Sequence, residues 1–339
     1  MIIAEATKLA RKIELSPVER LHALVEADMS ATDVLIHERM GSSVALIPDL
    51  TRHLIDSGGK RLRPLLTLAA AAACGHANGL HIKLAAAVEF IHTATLLHDD
   101  VVDASSLRRG KLAANMVWGN KPSILVGDFL LSRAFQLMVE AGNMRVLHIL
   151  ASASAVIAEG EVLQLRSANN LATTEDDYLT VVGAKTAALF AAAAEAGATI
   201  AHADATTISA FSSYGQNLGI AFQLVDDSLD YSGRQAQMGK SVGDDFREAK
   251  VTLPVILAYK RADDDARRFW QRTIQLGQQR DGDLQRAIAY VEHSGAIGDA
   301  DDQAHRYARQ ACHALQSIPP GELKGALEAV AEFCVDRGY

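Results

Sequence analysis

Aromatic residues and prolines are scarce in this chain of 339 residues, of which 5% are Phe, Trp or Tyr and 7 are Pro. Proline breaks helices, so its scarcity leaves long stretches that can be helical. Alanine, the strongest helix former, is abundant and occurs in runs at 69–73 and 191–194. This composition is typical of an all-α protein and argues against a sheet-rich one. We therefore predict an all-α fold and treat residues 1–339 as a single domain.

Cysteine and positive charge are also in short supply. The spacing of the three cysteines, Cys74, Cys312 and Cys334, is not that of metal ligands. We expect them to be reduced packing residues, as in a cytoplasmic protein. The formal net charge of −8 argues against the basic surface of a nucleic-acid-binding protein.

Long apolar runs are lacking as well. No uninterrupted apolar stretch reaches the roughly 18 residues of a membrane-spanning helix. Glu5 places a charge too early for a secretory signal. We therefore expect no transmembrane segment and a cytoplasmic location, with transient membrane contact when the substrate is apolar.

The chain does contain two aspartate clusters with the same spacing. Each follows an apolar helical run, and in each the carboxylates fall at positions i, i+1 and i+4. The six residues are Asp99, Asp100, Asp103, Asp226, Asp227 and Asp230. Because residues i and i+4 share a face of a helix, the first and last aspartate of each cluster lie together.

Like charges at this spacing weaken a helix, so their repetition indicates a bound cation. Carboxylate oxygens suit Mg²⁺ or Mn²⁺, and Mg²⁺ usually takes one or two carboxylates together with substrate phosphates. Two facing clusters therefore predict a site for a metal-bound diphosphate. The alternative is that the clusters are solvated helix ends rich in aspartate. This alternative could explain a single cluster, but it explains two clusters with the same spacing less well.

A second group of charges is cationic. A Gly-Gly turn at 58–59 leads into Lys60, Arg61 and Arg63 at the start of an apolar helix, where backbone N–H groups already favour anions. The P-loop spacing is missing, so this is a phosphate-binding element of another kind. His92 lies two turns before Asp99 and is a candidate to contact the same anion.

Further cations follow along the chain. Arg108 and Arg109 come after the first cluster, and Lys240 and Lys250 belong to a Gly- and Asp-rich loop with the charges of a lid. Lys185 stands among small apolar residues, where a charge without a nearby anion is costly. A lysine that extends its amino group to solvent is the alternative.

The outer segments carry no chemistry. Residues 1–48 read as two amphipathic helices that can contribute to a dimer surface, and Ser16 and Glu19 form a helix-start signature there. The motifs occupy 58–254, and 255–339 read as helices broken at 318–321.

Together these motifs resemble those of the trans-polyprenyl diphosphate synthases, most closely the long-chain octaprenyl and decaprenyl types that supply quinone side chains. The resemblance is carried by 58–64, 98–110, 185–186 and 222–230, and it is loose over 1–48. It implies antiparallel helices around a deep central cavity, usually in a homodimer. It also implies two or three Mg²⁺ ions held by the six aspartates.

The resemblance further implies two substrates. An allylic diphosphate, farnesyl or geranyl, would bind through the metal ions and through Arg108, Lys185, Thr186, Gln223, Lys240 and Lys250. Isopentenyl diphosphate would bind at Lys60, Arg63, His92 and Arg109. Catalysis would rest on Asp99, Asp103, Lys185, Asp226, Asp230 and Lys240, which stabilise the charge on the departing diphosphate while the double bond of isopentenyl diphosphate attacks the carbocation.

Product length should depend on the helix below Asp99. The small Ala94 and Thr95 leave a channel open about one turn lower, and Phe135, Met138 and Leu150 can supply its floor. We expect a long product of about eight to ten units, as the resemblance implies.

Several alternatives remain. A shorter-chain synthase would use the same motifs, and a non-catalytic subunit of a heteromeric synthase would be expected to have lost carboxylates. A terpene cyclase would not need the second cationic site, and a structural helical protein would need neither. Ser228 and Ala249 depart from the family's usual apolar residue and glycine, and neither change removes a ligand.

Overall fold

The computed structural model describes residues 15–55, 58–75, 78–108, 110–232 and 242–336. Within these ranges nearly all regular structure is helical, which confirms the all-α prediction. The exception is a short antiparallel hairpin that pairs β1 (Leu107–Arg108) with β2 (Lys111–Leu112).

The helices of the first part of the described chain are α1 (Pro17–Leu24), α2 (Glu26–Arg39), α3 (Leu46–Ile55), α4 (Leu62–Ala73), α5 (Leu80–Val102), α6 (Ala114–Trp118), α7 (Asn120–Glu140) and α8 (Met144–Ser167). Those of the second part are α9 (Glu175–Val182), α10 (Ala188–Ile200), α11 (Ala205–Asp230), α12 (Asp244–Arg247), α13 (Leu253–Lys260), α14 (Asp264–Trp270), α15 (Asp283–His293), α16 (Ala296–Ala314) and α17 (Glu322–Asp336). Two π-helical turns, Gly183–Ala187 and Gln271–Gln275, and a 3₁₀ turn, Leu315–Ser317, complete the helical elements described.

The predicted helix start near the N-terminus is confirmed. The Ser16 side chain accepts from the backbone N–H of Glu19, and the Glu19 carboxylate accepts from the backbone N–H of Ser16 at 2.7 Å. Pro17 occupies the first helical position, where its missing N–H is not needed. The first amphipathic helix predicted in this segment therefore starts where the sequence indicates.

The core consists of three hydrophobic clusters that share helices. The first packs α5 against α7 and α8, and includes Phe90 and Met138. The second joins α4 and the first half of α11 to α17, and the third joins the second half of α11 to α13, α14 and α15. Helix α11 thus links two clusters, although the prediction of a single domain stays a prediction.

Four segments of the described chain are long and apolar enough to cross a membrane by length and composition: Leu80–Val102, Asn120–Glu140, Met144–Ser167 and Glu175–Ile200. None of these four segments is an uninterrupted apolar run, because single polar residues break each of them without lowering the mean hydropathy much. In α5, 67% of the most apolar stretch is buried inside the protein, compared with 33% in α8. Packing therefore accounts for the apolar character of α5, whereas α8 keeps an exposed apolar face.

The π-helical turn Gly183–Ala187 packs closely between two helices, each of which has a glycine at the contact. A Cβ at Gly160 of α8 would lie 2.8 Å from the backbone nitrogen of Lys185, and one at Gly219 of α11 would lie 2.6 Å from Cα of Ala187. Side chains at these glycines would hold the helices apart. Because π-turns inside helices often occur at functional sites, this close packing draws attention to Lys185 and its neighbour Thr186.

Candidate active site

The first aspartate cluster lies at the C-terminal end of α5. Asp99 and Asp100 belong to the last turn, and Asp103 is the C-cap residue. Asp100 is fully buried, and its Oδ1 accepts hydrogen bonds from Nε and Nη2 of Arg108 at 2.9 and 2.5 Å. The pair of Asp100 on α5 and Arg108 on β1 therefore holds the β1–β2 hairpin against α5.

Asp99 is partly buried beside a pair of opposite charges. Burial raises the pKa of Asp99 to about 7, Lys185 opposes this rise, and Glu161 and Asp103 add to it. Lys185 Nζ lies 2.8 Å from Oε1 and 3.0 Å from Oε2 of Glu161. The anion that the sequence analysis leads us to expect near Lys185 is therefore Glu161, which was not predicted as a site residue.

Asp103 joins the two clusters. Its Oδ2 accepts a hydrogen bond at 3.1 Å from Nζ of Lys250, which follows the second cluster in the chain and also lies 2.5 Å from Glu248. Burial alone would lower the pKa of Lys250, but Asp103, Asp245 and Glu248 together raise it above its usual value. Because Lys250 also acts electrostatically on Asp227, it links the two aspartate clusters, which we call the first wall (Asp99, Asp100 and Asp103) and the second wall (Asp226, Asp227 and Asp230).

The second cluster lies at the end of α11, and its middle aspartate is held by neutral donors. Oδ2 of Asp227 accepts from the Tyr178 hydroxyl and Oδ1 from the Gln223 amide, both at 2.6 Å. The Oε1 of Gln223 in turn accepts from the Thr186 hydroxyl at 2.9 Å. Burial raises the pKa of Asp227 to about 7, against the opposing effect of these hydrogen bonds.

The outer aspartates of the second cluster have different environments. Asp230 accepts three backbone N–H groups, from Gly243, Asp244 and Asp245, at 2.9–3.2 Å. Burial nevertheless raises its pKa, and burial together with Asp227 and Asp230 raises the pKa of Asp245 well above its usual value. Asp226 is exposed. Among the three aspartates of the second cluster, Asp226 is therefore the carboxylate most accessible to an added ligand.

The donor set fits divalent cations that are shared with a substrate. Within the described ranges, no three His, Cys, Asp or Glu side chains converge on one metal position. The clusters instead offer one or two hard oxygen donors from each wall, which is the number Mg²⁺ takes when waters and phosphates complete its shell. Burial is the main cause of the raised pKa of Asp99, and the carboxylates of Glu161 and Asp103 add to it; a cation bound there would oppose the rise.

The predicted cationic site is assembled in part. Nη1 of Arg63 donates to Nε2 of His92 at 3.2 Å, and its guanidinium lies 4.3 Å from the centre of the Phe190 ring. Lys60, three residues before Arg63 in the chain, is exposed. Arg61 has another role: it takes a left-handed backbone conformation with φ of 49°, and its guanidinium pairs with Glu89 at 3.0 Å. One of the three adjacent cations therefore anchors the turn to α5.

Comparison with known proteins identifies the family to which this chain belongs. A model of the polyprenyl synthetase family matches residues 44–291. Octaprenyl diphosphate synthase of Escherichia coli K12 is 41% identical over 320 residues, which span 94% of this chain and 99% of that protein. The chain belongs to the polyprenyl synthetase family.

Solved structures agree with this family assignment. A polyprenyl synthase from Caulobacter crescentus CB15, complexed with calcium and isoprenyl diphosphate, is 54% identical with a TM-score of 0.92 over 94% of this chain and 98% of that one. A decaprenyl diphosphate synthase from Rhodobacter capsulatus is also 54% identical, with a TM-score of 0.91 over the same shares. The predicted resemblance and fold are thus confirmed, and so is the prediction of a prenyltransferase.

The residues predicted to set the product length fall into two groups in this polyprenyl synthetase. Ala94, Met138 and Leu150 are buried in the same hydrophobic cluster below Asp99. Phe135 is 40% exposed and lies outside this cluster, which does not favour it as a floor. Thr95 is partly buried, and its hydroxyl donates to the carbonyl of His92 at 2.8 Å.

Two predicted site residues, Arg109 and Lys240, lie outside the described residues. Conversely, three residues with structural links to the site were not predicted as site residues: Glu161, Tyr178 and Asp245. A glycine between two glutamates in a helix was the one signal for Glu161. Tyr178 gave no sequence signal, because it lies 49 residues from Asp227 in the chain.

Proposed function

We propose that this polyprenyl synthetase adds isopentenyl diphosphate repeatedly to an allylic diphosphate and makes a long all-trans polyprenyl diphosphate. The observation that supports the proposal is the 3.1 Å contact between Lys250 and Asp103, because Lys250 also acts electrostatically on Asp227 and so links the two walls. Relatives of nearly the same length are octaprenyl and decaprenyl diphosphate synthases. By similarity to these relatives we assign about eight to ten units to the product, and a quinone side chain as its destination.

Mg²⁺ is the proposed cofactor, as two or three ions, and Mn²⁺ has the same ligand preference. When bound, it supplies Lewis-acid stabilisation of the negative charge that develops on the departing diphosphate. Asp99 and Asp103 would hold it on one wall and Asp226 on the other. Asp100, Asp227 and Asp230, also predicted as ligands, act through their protein partners in the arrangement seen here.

The chain's own cations would bind the allylic diphosphate between the walls. Lys250 pairs with Asp103 of the first wall, and Lys185 pairs with Glu161 and acts electrostatically on Asp99, so both ammonium groups can reach oxygens held there. Thr186 and Gln223, hydrogen-bonded to each other, add polar groups on the opposite side. These charges favour heterolysis of the allylic C–O bond, because they are fixed before the diphosphate charge develops.

The isopentenyl diphosphate would be held by Arg63 and His92, with Lys60 and Arg109 as further cations. The double bond of that substrate attacks the allylic carbon, forming the new C–C bond. A proton is then lost, with the released diphosphate as its acceptor, and the chain is one unit longer. The apolar cluster around Ala94 keeps water from the cation, which water would otherwise quench.

Two other functions share these features. A shorter-chain farnesyl or geranylgeranyl synthase would use the same walls, but the small side chain of Ala94 favours a longer product. A non-catalytic subunit of a heteromeric synthase would not need six aspartates, all of which are present. Product analysis separates all three functions.

The decisive experiment incubates the purified chain with farnesyl diphosphate, isopentenyl diphosphate and Mg²⁺, then separates the dephosphorylated products by chromatography. We expect products of about eight to ten units, and none when a chelator removes the metal. Products that stop at three or four units would support the shorter-chain alternative. Absence of elongation by the folded protein with geranyl or farnesyl primer would support the non-catalytic one.

We also propose a homodimer in the cytoplasm, with transient membrane contact during product release. Four exposed apolar residues, Ile124, Leu125, Phe135 and Val139, lie on one side of α7, and α8 exposes more. Such a face suits a second copy of the chain. Light scattering tests this: Leu125→Asp with Val139→Asp should yield monomers if the face forms the interface, and dimers that persist would contradict it.

A further inference from the structure

The ion pair between Lys185 and Glu161 joins the π-helical turn to α8. Nζ of Lys185 is within 3.0 Å of both carboxylate oxygens of Glu161, and each side chain is 21% exposed. A partly buried pair of this geometry is stronger than a surface pair, because water screens it less. Lys185 is therefore engaged by a protein carboxylate as well as being predicted to bind substrate.

The backbone fixes this pair. Gly160 precedes Glu161 and allows α8 to approach the backbone nitrogen of Lys185. The π-helical turn offsets Lys185 from the regular helical positions of α9 and α10. The close packing of the two backbones consequently brings the Lys185 ammonium and the Glu161 carboxylate together.

A third charge completes the arrangement. Asp99 lies close enough for both Lys185 and Glu161 to act on it, with opposite signs. One ammonium thus faces two carboxylates, of which Asp99 belongs to the proposed metal wall. An ammonium has three N–H donors, so a diphosphate oxygen that binds Lys185 must share it with Glu161 or displace it.

We propose that Glu161 is a positioning residue that competes with diphosphate for Lys185. It holds the ammonium beside Asp99 and weakens the grip of Lys185 on inorganic diphosphate, so that the product of each elongation step leaves. The step is an exchange of ionic partners, without covalent change. This inference rests on the proposed function, since it takes diphosphate to be the ligand.

The test measures binding of inorganic diphosphate, in the presence of Mg²⁺, by calorimetry. Glu161→Gln keeps the shape of the side chain and removes its charge, and it should tighten diphosphate binding by about three- to tenfold. Glu159→Gln, on an exposed position of the same helix, is the matched control and should leave the affinity unchanged. Inhibition of elongation by added diphosphate should strengthen in parallel in the Glu161→Gln variant.

A second background shows whether the effect passes through Lys185. Lys185→Met should weaken diphosphate binding, and adding Glu161→Gln to it should then change nothing more. If Glu161→Gln is poorly folded by circular dichroism, Glu161→Asp, which withdraws the carboxylate, should give an intermediate tightening. If Glu161 only positioned the Lys185 ammonium and did not compete with diphosphate for it, Glu161→Gln would weaken diphosphate binding.

Three results would overturn the inference: weaker or unchanged binding in Glu161→Gln, an equal effect in the Lys185→Met background, or a change in the Mg²⁺ requirement that marks Glu161 as a metal ligand. Failure of the wild-type chain to bind diphosphate would overturn the proposed function instead. The two failures are therefore distinguishable.

Discussion

The two aspartate walls share one sequence spacing but are stabilised in different ways. On the first wall the partners are cations: Arg108 binds Asp100 and Lys250 binds Asp103. On the second wall the partners are neutral, since the Tyr178 hydroxyl binds Asp227 and backbone amides bind the last aspartate. Identical spacing has therefore produced unlike electrostatic environments.

The two walls differ in how their charge is compensated. Full charges pair with Asp100 and Asp103 of the first wall, whereas hydrogen-bond dipoles surround Asp227 and Asp230 of the second. Burial raises the pKa of carboxylates on both walls, of Asp99 as well as of Asp227 and Asp230. We expect the lysines beside the first wall to change partners when substrate binds.

The largest effect should come from the carboxylates assigned to metal binding. Asp99→Ala and Asp226→Ala should each lower kcat by at least about a thousandfold, because either change removes stabilisation of the departing diphosphate. Steady-state elongation assays measure this, with Asp176→Ala at an exposed helix start as the control. Undiminished elongation by either folded variant would refute the assignment of that wall.

The next comparison asks which wall the product tail follows. Ala94 and Ala221 are buried at the same distance, five residues, before the first aspartate of each cluster. Ala94→Phe should shorten the product to a few units, while Ala221→Phe should reduce the yield of folded enzyme without changing the product length. Chromatography of the products distinguishes the two. A product of unchanged length from Ala94→Phe would show that the tail does not run along α5.

Loss of a cationic partner should cost more stability than loss of a neutral one. Arg108→Met leaves the fully buried Asp100 without its ion pair and should lower the free energy of unfolding by about 3 kcal/mol. Tyr178→Phe removes one hydrogen bond to Asp227 and should lower it by about 1–2 kcal/mol. Urea unfolding measures both, and a reversed order would contradict the contrast between the walls.

The smallest effect should be on the pH dependence of stability. Burial raises the pKa of Asp227 to about 7, so the folded state binds a proton that the unfolded state has lost. The free energy of unfolding should therefore fall as the pH rises between the unfolded and folded pKa values. Asp227→Asn lacks this titration but can still accept from Gln223 and donate to Tyr178.

From about pH 6 to about pH 7, the wild-type free energy of unfolding should fall by about 1 kcal/mol more than that of Asp227→Asn. Urea unfolding at both values checks this, with Asp176→Asn as a control at an exposed position. Parallel pH profiles for the wild type and Asp227→Asn would show that Asp227 titrates in its ordinary range.

Much of the fold could be predicted because local signals decide it. The Ser16 cap and the break near Pro319 both lie where the sequence indicates. The π-helical turn at Lys185 could not be predicted, because it depends on how closely Gly160 and Gly219 let two helices approach. Tertiary packing, with no local preference, produces that turn.

The candidate site shows the same division. The cost of an isolated charge predicted an anion near Lys185, but not that Glu161 would supply it from 24 residues away. Likewise, Arg61 looked like a third phosphate-binding cation, and its pairing with Glu89 on α5 was visible only after folding. Charge requirements can be read from a sequence, whereas the partners that meet them depend on distant residues.

The sequence by itself determined the helices and the pairing of aspartates on one face, since 3.6 residues per turn brings positions i and i+4 together in any helix. Tertiary structure decided which groups each carboxylate meets. Lys250 and Asp103 are 147 residues apart, and they meet only because the chain that follows α12 folds back against the end of α5. The motif is local, but its electrostatic environment belongs to the packed molecule.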